Sequence, residues 1–224
     1  MRRAPLLLLA ALAGFAALAL VTAVPAQAAK IEGFFLKMDP YSDVSRQYGR
    51  PGYGGGLEVV GELPGTAKLF AAVGGLEVVN LLSTTTKFQD VTTGLRVEQQ
   101  TTQNYGRLYV GGQFGSHSSG FLRPYAGANV ALVWYGINTD VVVPDSYDRE
   151  REIRQNLRDE NEVAFGWDAN AGVDFNVRDK WSIDVGVRYL HSYDVPQQLG
   201  AGSVRIEPDY FQLKIGVGFN PARL

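Results

Sequence analysis

Residues 209–219 read DYFQLKIGVGF, and every second one is apolar. Side chains on a strand alternate faces with period two. Phe211, Leu213, Ile215, Val217 and Phe219 therefore share one face, and Gln212, Lys214, Gly216 and Gly218 the other. The pattern returns at 163–177, where Val163, Phe165, Trp167, Ala169, Ala171, Val173, Phe175 and Val177 oppose Gly166, Asp168, Asn170, Gly172, Asp174 and Asn176. It returns again when Trp181, Ile183, Val185, Val187 and Tyr189 oppose Ser182, Asp184, Gly186 and Arg188. A soluble sheet shows such alternation when helices or a second sheet cover its apolar face. No helical segment is present to do so. The arrangement that accounts for every segment is a closed barrel, apolar toward lipid and polar and glycine-rich inside.

The start of the chain carries its own instruction. Arg2 and Arg3 precede an almost wholly apolar run from Leu6 to Val24, and Ala26-Gln27-Ala28 follows. A basic n-region, an apolar h-region and an Ala-x-Ala site make a secretory signal peptide of residues 1–28. A membrane-spanning anchor is the rival reading, and strand-like sequence directly after Ala28 favours cleavage. Residue 29 is alanine, so the cysteine of a lipoprotein is lacking. The expected mature domain is 29–224, a single barrel. No cysteine is present, so disulfides contribute nothing. Weak acidity, with a formal charge of −2, and the lack of a basic run argue against nucleic acid.

In chain order, strands are expected at 31–38, 52–62, 68–82, 103–115, 121–138, 163–177, 181–190 and 209–219. The facing of the first is the least defined. Glu62-Leu63-Pro64-Gly65-Thr66, Ser116–Gly120 and Arg178-Asp179-Lys180 read as short turns. The segments 39–51, 83–102, 139–162 and 192–208 read as long loops, with strand extension an alternative for 83–102. Short and long connections alternate. The fold class is thus all-β: an eight-stranded antiparallel up-and-down transmembrane β-barrel, short turns toward the periplasm and long loops outside.

The chain resembles the small eight-stranded outer-membrane barrels typified by OmpA and OmpX. The resemblance rests on Arg123-Pro124-Tyr125-Ala126-Gly127, on Arg188-Tyr189-Leu190, and on Lys214-x-Gly216-x-x-Phe219 in the final strand. That last motif looks like the C-terminal signal read by the barrel-assembly machinery of Gram-negative bacteria. The resemblance implies an integral protein of the outer membrane, in contact with lipid and lipopolysaccharide, monomeric and without cofactor. Two other barrels compete: an OmpW-like conduit for small or hydrophobic solutes, and a soluble lipocalin-like barrel with its apolar face inward. An apolar lumen near the outer rim would favour the conduit.

The inward faces collect charges of both signs: Glu58, Glu77, Asp168, Asp174 and Asp184 with Arg107, Arg188 and Lys214. A narrow barrel has room only for side chains, so these charges must pair. The reading taken is a paired plug, with a gated polar path as its alternative. A turn at 178–180 would set Asp174 opposite Asp184 and Arg188 diagonal to Asp168. Phe175, Trp181 and Phe219 at one end, with Trp134, Tyr189 and Phe211 at the other, look like interfacial girdles. The segment 148–162 (DREREIRQNLRDENE) has Ile153 and Leu157 four apart, so a short surface helix could form in it. A solvated loop is the plainer reading; contact with lipopolysaccharide phosphates is the functional one. One family of eight-stranded barrels deacylates lipid A with His-x-Ser and an acid. Here Ser192 adjoins His191 and so points the other way. His117 has no partner in sequence, and no metal, nucleophile or phosphate-loop spacing occurs. N-terminal sequencing of protein recovered from membranes is expected to begin at Ala29. Retention of Met1 would contradict the targeting assignment.

Overall fold

The computed structural model describes residues 29–66, 69–89, 96–115, 120–144, 152–178, 180–193, 195–199 and 202–221. The segment 1–28, expected to be a signal peptide, and His117 lie outside them. Among the described residues there are ten strands, β1 (Ala29–Pro40), β2 (Gly52–Glu62), β3 (Phe70–Gln89), β4 (Arg96–Gly115), β5 (Leu122–Pro144), β6 (Glu152–Arg178), β7 (Trp181–Ser192), β8 (Val195–Leu199), β9 (Gly202–Ile206) and β10 (Asp209–Phe219), and one helix, α1 (Asp43–Tyr48). Eight of them, β1–β7 and β10, close into an antiparallel barrel, and β10 seals it against β1. Closure leaves the barrel wall no open edge.

The register gives the barrel its bore. From Leu36 the ladder runs through Gly54, Val79, Tyr105 and Tyr135 to Glu162 on β6. In the other direction it runs through Lys214 and Gly186 to Gly172 on the same strand. The two walks arrive ten residues apart, at 162 and 172, so the shear is ten. Eight strands tilted by such a stagger enclose a space that side chains fill.

Facing follows the alternation. Along β7 and β10 exposed and buried residues alternate almost without exception. Ile215 is 51 % exposed, while Gln212 is wholly buried. An exterior of leucine, valine, isoleucine and aromatics round a polar interior matches hydrocarbon outside. On β1 the inward row is Glu32, Phe34, Leu36 and Met38. The outward row is Ile31, Gly33, Phe35 and Lys37, and Lys37 lies near the outer rim, paired with Asp39 at 2.8 Å.

At the end holding both strand termini the connections are tight. Leu63 N–H donates to Phe70 O at 3.0 Å and Thr66 Oγ1 to Leu63 O at 2.7 Å, with Gly65 at φ +80°. That left-handed position is open to glycine at no steric cost. Asn220 N–H donates to Lys180 O at 2.8 Å and ties the end of β10 to the β6–β7 turn.

The opposite end departs from the sequence reading in three ways. First, 139–162 is largely strand, and 83–102 takes its strand-extension alternative: β3 to β6 continue past the rim, pairing Thr84–Gln89 with 96–101, and 140–144 with 152–156. The short helix considered within 148–162 does not form where the chain is described; 152–162 belong to β6. Pairing of this segment with β5 supplies backbone partners that an isolated turn of helix lacks. Second, 39–51 contains α1, N-capped by Ser42, whose Oγ accepts from Ser45 N–H at 3.2 Å. Third, 192–208 folds into the β8–β9 hairpin, which brings Val195 and Ile206 into buried positions.

Outward position should decide tolerance to charge. Ile215→Arg, in the lipid-facing band, is expected to cost about 2–4 kcal/mol and to deplete the heat-modifiable folded band on a gel. Thr86→Arg, exposed on the extension of β3, is expected to leave that band intact.

Candidate functional site: the salt-bridged lumen

The inward rows of all eight barrel strands meet in one connected set of charges. At mid-height Arg107 on β4 and Arg188 on β7 reach across the lumen. Arg107 Nη1 lies 2.7 Å from Asp168 Oδ2, and its Nε lies 2.8 Å from Glu77 Oε1. Arg188 Nη1 is 3.0 Å from Glu77 Oε2, Nη2 is 3.0 Å from Glu58 Oε2, and Nε is 3.6 Å from Asp168 Oδ1. Glu77 and Asp168 thus each join both arginines. Neutral donors complete their shells: Gln212 Nε2 to Glu77 at 2.7 Å, Asn129 Nδ2 to Asp168 at 2.8 Å and Asn170 Nδ2 to Asp168 at 3.1 Å. The Tyr109 ring lies against both guanidinium groups, 4.4 Å from Arg107 and 4.9 Å from Arg188, while its hydroxyl donates to Glu58 at 2.7 Å. Gly75 makes room for that hydroxyl, since a Cβ there would stand 2.5 Å from it.

Toward the end with the tight turns Lys214 meets Glu32, Glu58 and Asp184 at 2.9, 3.1 and 3.1 Å. The Tyr125 hydroxyl donates to Asp184 at 2.9 Å, over the bare backbone of Gly172 and Gly186. Lys30 pairs with Glu32 at 2.8 Å and Asp174 at 3.3 Å, and Arg123 stands 3.6 Å from Asp174. Five cations therefore face six carboxylates here, a near balance that lets side chains shut the bore without a large uncompensated charge.

The structure places each sequence candidate. Glu58, Glu77, Arg107, Asp168, Asp174, Asp184, Arg188 and Lys214 are all buried inside the barrel. Asp174 and Asp184 are register partners, but each turns to its own cation. Asp168 has Arg107 as its nearest charge and Arg188 only as a longer contact. Sequence reasoning missed Arg123 on β5, and Glu32 and Lys30 on β1. The latter two sit on the strand whose facing was undefined, and a glutamate between Ile31 and Gly33 was the available signal. Among the aromatics, Trp181 meets Phe219 at 5.0 Å and Phe175 meets Phe121 at 6.0 Å at the end with the tight turns. Near the outer rim Tyr189 contacts Trp167 at 5.7 Å and Tyr41 at 5.8 Å, and Phe211 and Trp134 are exposed. His191 faces outward, its Nδ1 2.7 Å from Asp209 Oδ1, an acidic partner that sequence spacing did not reveal. Ser192 points into the lumen, where its Oγ lies 3.1 Å from the Tyr135 hydroxyl. The two cannot act together across the wall.

Above the charges the lumen changes character. Leu36, Met38, Val79, Leu81, Val133 and Leu190 are buried there with Tyr105, Tyr135 and Tyr210, under Val195 and Ile206 of the hairpin. Tyr105 packs edge-on against Tyr135 at 5.2 Å and against Tyr210 at 6.1 Å. A cavity of about 20 Å³ remains between Leu81, Tyr135, Val195, Ile206 and Tyr210.

A closed eight-stranded barrel, lipid-matched outside and charge-filled inside, is the fold of the small outer-membrane barrels. Neisserial surface protein A has a similar structure, with a TM-score of 0.54 at 11 % identity over 86 % of this chain and 96 % of that one. The attachment invasion locus protein Ail of Yersinia pestis aligns at 0.44 and 12 % over 85 % and 96 % of the two chains. A major outer membrane protein of Thermus thermophilus aligns at 0.44 and 11 % over 86 % and 99 %. No protein-family model and no curated protein sequence matches the chain.

Breaking the network should be costly. Arg188→Ala leaves Glu58, Glu77 and Asp168 short of a cation, and removing one partner of a buried pair costs about 3–5 kcal/mol. The urea midpoint of the refolded barrel is expected to fall accordingly. Adding Glu77→Gln should restore part of the loss, and more of it than Asp168→Asn, because Glu77 lies closer to Arg188.

Proposed function

We propose that this is a non-enzymatic integral protein of the outer membrane of a Gram-negative bacterium. Its barrel is an anchor, and its extracellular extensions supply any surface interaction. One observation carries the reading: the bore is closed by paired charges, while four strands, β3 to β6, continue past the rim as a sheet. A chain whose lumen is filled has its accessible chemistry on the extensions. On this reading a cleaved signal peptide brings it to the periplasm, the barrel-assembly machinery inserts it, and lipid and lipopolysaccharide surround a monomer. The fold it shares with Neisserial surface protein A supports the barrel architecture of this reading.

The test is to replace 84–101 and 140–156 with short turns and to express both forms on the same cells. The trimmed barrel should insert and remain heat-modifiable. Cell–cell aggregation and retention on protein-coated surfaces should fall to the level of cells lacking the protein. Unchanged retention would contradict the role given to the extensions.

A second reading has one observation in its favour, the apolar upper lumen under the β8–β9 hairpin. It is a conduit in which a hydrophobic solute enters from outside and leaves sideways above the charges. Val133→Arg would place a cation in that region. Liposomes bearing the wild type should take up an apolar dye no faster than empty ones. Uptake that is accelerated, and abolished by Val133→Arg, would establish the conduit instead.

A further inference from the structure

The outer surface of the wall holds a second feature, remote from the lumen charges. Between β2 and β5, near the outer rim, a groove of about 420 Å³ is cut into the lipid-facing side, bounded by Tyr53, Gly55, Val78, Asn80, Asn104 and Trp134. Its origin is in the sequence. Gly55 on β2 and Gly106 on β4 lie on the outward rows and leave the backbone bare between larger neighbours. A Cβ on Gly106 would fall inside the Trp134 indole, so the indole lies flat against the strand and forms one bank. Tyr53, stacked on Phe35 at 6.1 Å with the rings 19° apart, forms the other.

The outer end of the groove is polar. Asn80 and Asn104 are register partners, and Asn80 Nδ2 donates to Asn104 Oδ1 at 3.3 Å. Below them the outward residues of β3 are Val78, Leu76, Gly74, Ala72 and Phe70, and those of β4 are Gly106, Leu108, Val110, Gly112 and Phe114. The two asparagines are thus the first polar side chains met on these rows in moving outward. They stand two residues, about 7 Å along the strand, beyond the level of Gly106 and its Trp134. That is the depth at which acyl chains join their headgroups, just outside an interfacial tryptophan.

The pair bonded to itself still has functions to satisfy. Among the described residues, Asn80 Oδ1 and the Asn104 amide N–H groups have no protein partner. Exchanging which amide donates leaves the same complement, one carbonyl acceptor and one NH₂ donor side by side. A carboxamide at the edge of hydrocarbon is costly unless bonded. An ester linkage only accepts, and so can answer only the NH₂. An amide linkage offers a carbonyl and an N–H together, and so answers both.

We propose that this groove is a binding site for an outer-leaflet lipid with an amide-linked acyl chain. The chain lies along Tyr53, Val78 and Trp134, and the amide is held by Asn80 and Asn104. The inference rests on the outward face standing in lipid, as in the function proposed above.

The experiment uses the refolded full barrel in nanodiscs carrying trace amounts of two probes in turn. One is lipid A, whose acyl chains include amide-linked ones, and the other is an ester-linked phosphatidylethanolamine; both bear a chain diazirine. Photolabelled peptides are mapped by mass spectrometry. Lipid A is expected to label the segments around Tyr53, Val78 and Trp134 about fivefold above the opposite wall at Ile183 and Ile215, the size of effect one or two net hydrogen bonds give. The ester probe should label both walls alike. Asn80→Leu/Asn104→Leu should remove the preference. Val78→Trp, which fills the groove and leaves the asparagines in place, should remove it too, with folding of each variant checked by heat-modifiability. Equal labelling of both walls by lipid A, equal preference for the two probes, or a preference surviving both variants would overturn the proposal. Absence of label from every outward position would instead contradict the membrane placement itself.

Discussion

Everything in this barrel depends on pairing charge inside a space too narrow for bulk water. A carboxylate or guanidinium taken from water loses several kcal/mol of solvation, and only opposite charge and full hydrogen bonding return it. The lumen meets the charge side of that demand by sharing, while Arg107 Nη2 is buried without a hydrogen-bond partner among the described residues. Glu77 and Asp168 each serve Arg107 and Arg188, Glu58 serves Arg188 and Lys214, and Tyr109 covers both guanidinium faces. These partners come from β2, β3, β4, β6, β7 and β10, so the contacts form only when the barrel is closed and in register. A slip of one residue would turn each charge toward lipid. The plug therefore acts as a register lock as well as a seal.

The rest of the interior accommodates that layer. Glycines stand where long inward side chains must pass, at Gly75 beneath Tyr109 and at Gly172 and Gly186 beneath Tyr125. Above the charges the lumen is filled by tyrosines and aliphatic residues and covered by Val195 and Ile206. Asp209 ties this cover to the wall: its carboxylate receives the Tyr189 hydroxyl at 2.8 Å and faces His191, while its N–H donates to Ser45 Oγ of α1 at 2.6 Å. One residue at the base of the hairpin thus joins β7, β10 and the connection between β1 and β2.

Much of this was legible in sequence because period-two alternation states which residues face together. β7, β10 and 163–177 of β6 could be read residue by residue, and so could eight of the inward charges, though not Lys30, Glu32 or Arg123. β1 resisted, since Phe34 and Phe35 put an aromatic on each face and only the burial of Glu32 decides between them. The extensions of β3 to β6 resisted for another reason. Outside lipid both faces of a strand meet water, so alternation disappears and threonine, glutamine and charged residues read as loop. Pairings across the lumen were hidden most deeply. Turn length sets neighbours along the wall, as with Asp174 and Asp184, but partners on opposite walls such as Arg188 and Glu58 depend on shear, which no single segment encodes.

The central claim is that the charges close the bore. Single-channel recording of the refolded wild type in planar bilayers tests it directly, beside a variant carrying Glu77→Ala, Arg107→Ala and Arg188→Ala that removes the two arginines and one of their shared carboxylates. The account predicts no steps above the lipid background for the wild type and discrete openings for the variant. Steady conductance through the wild-type barrel would contradict it.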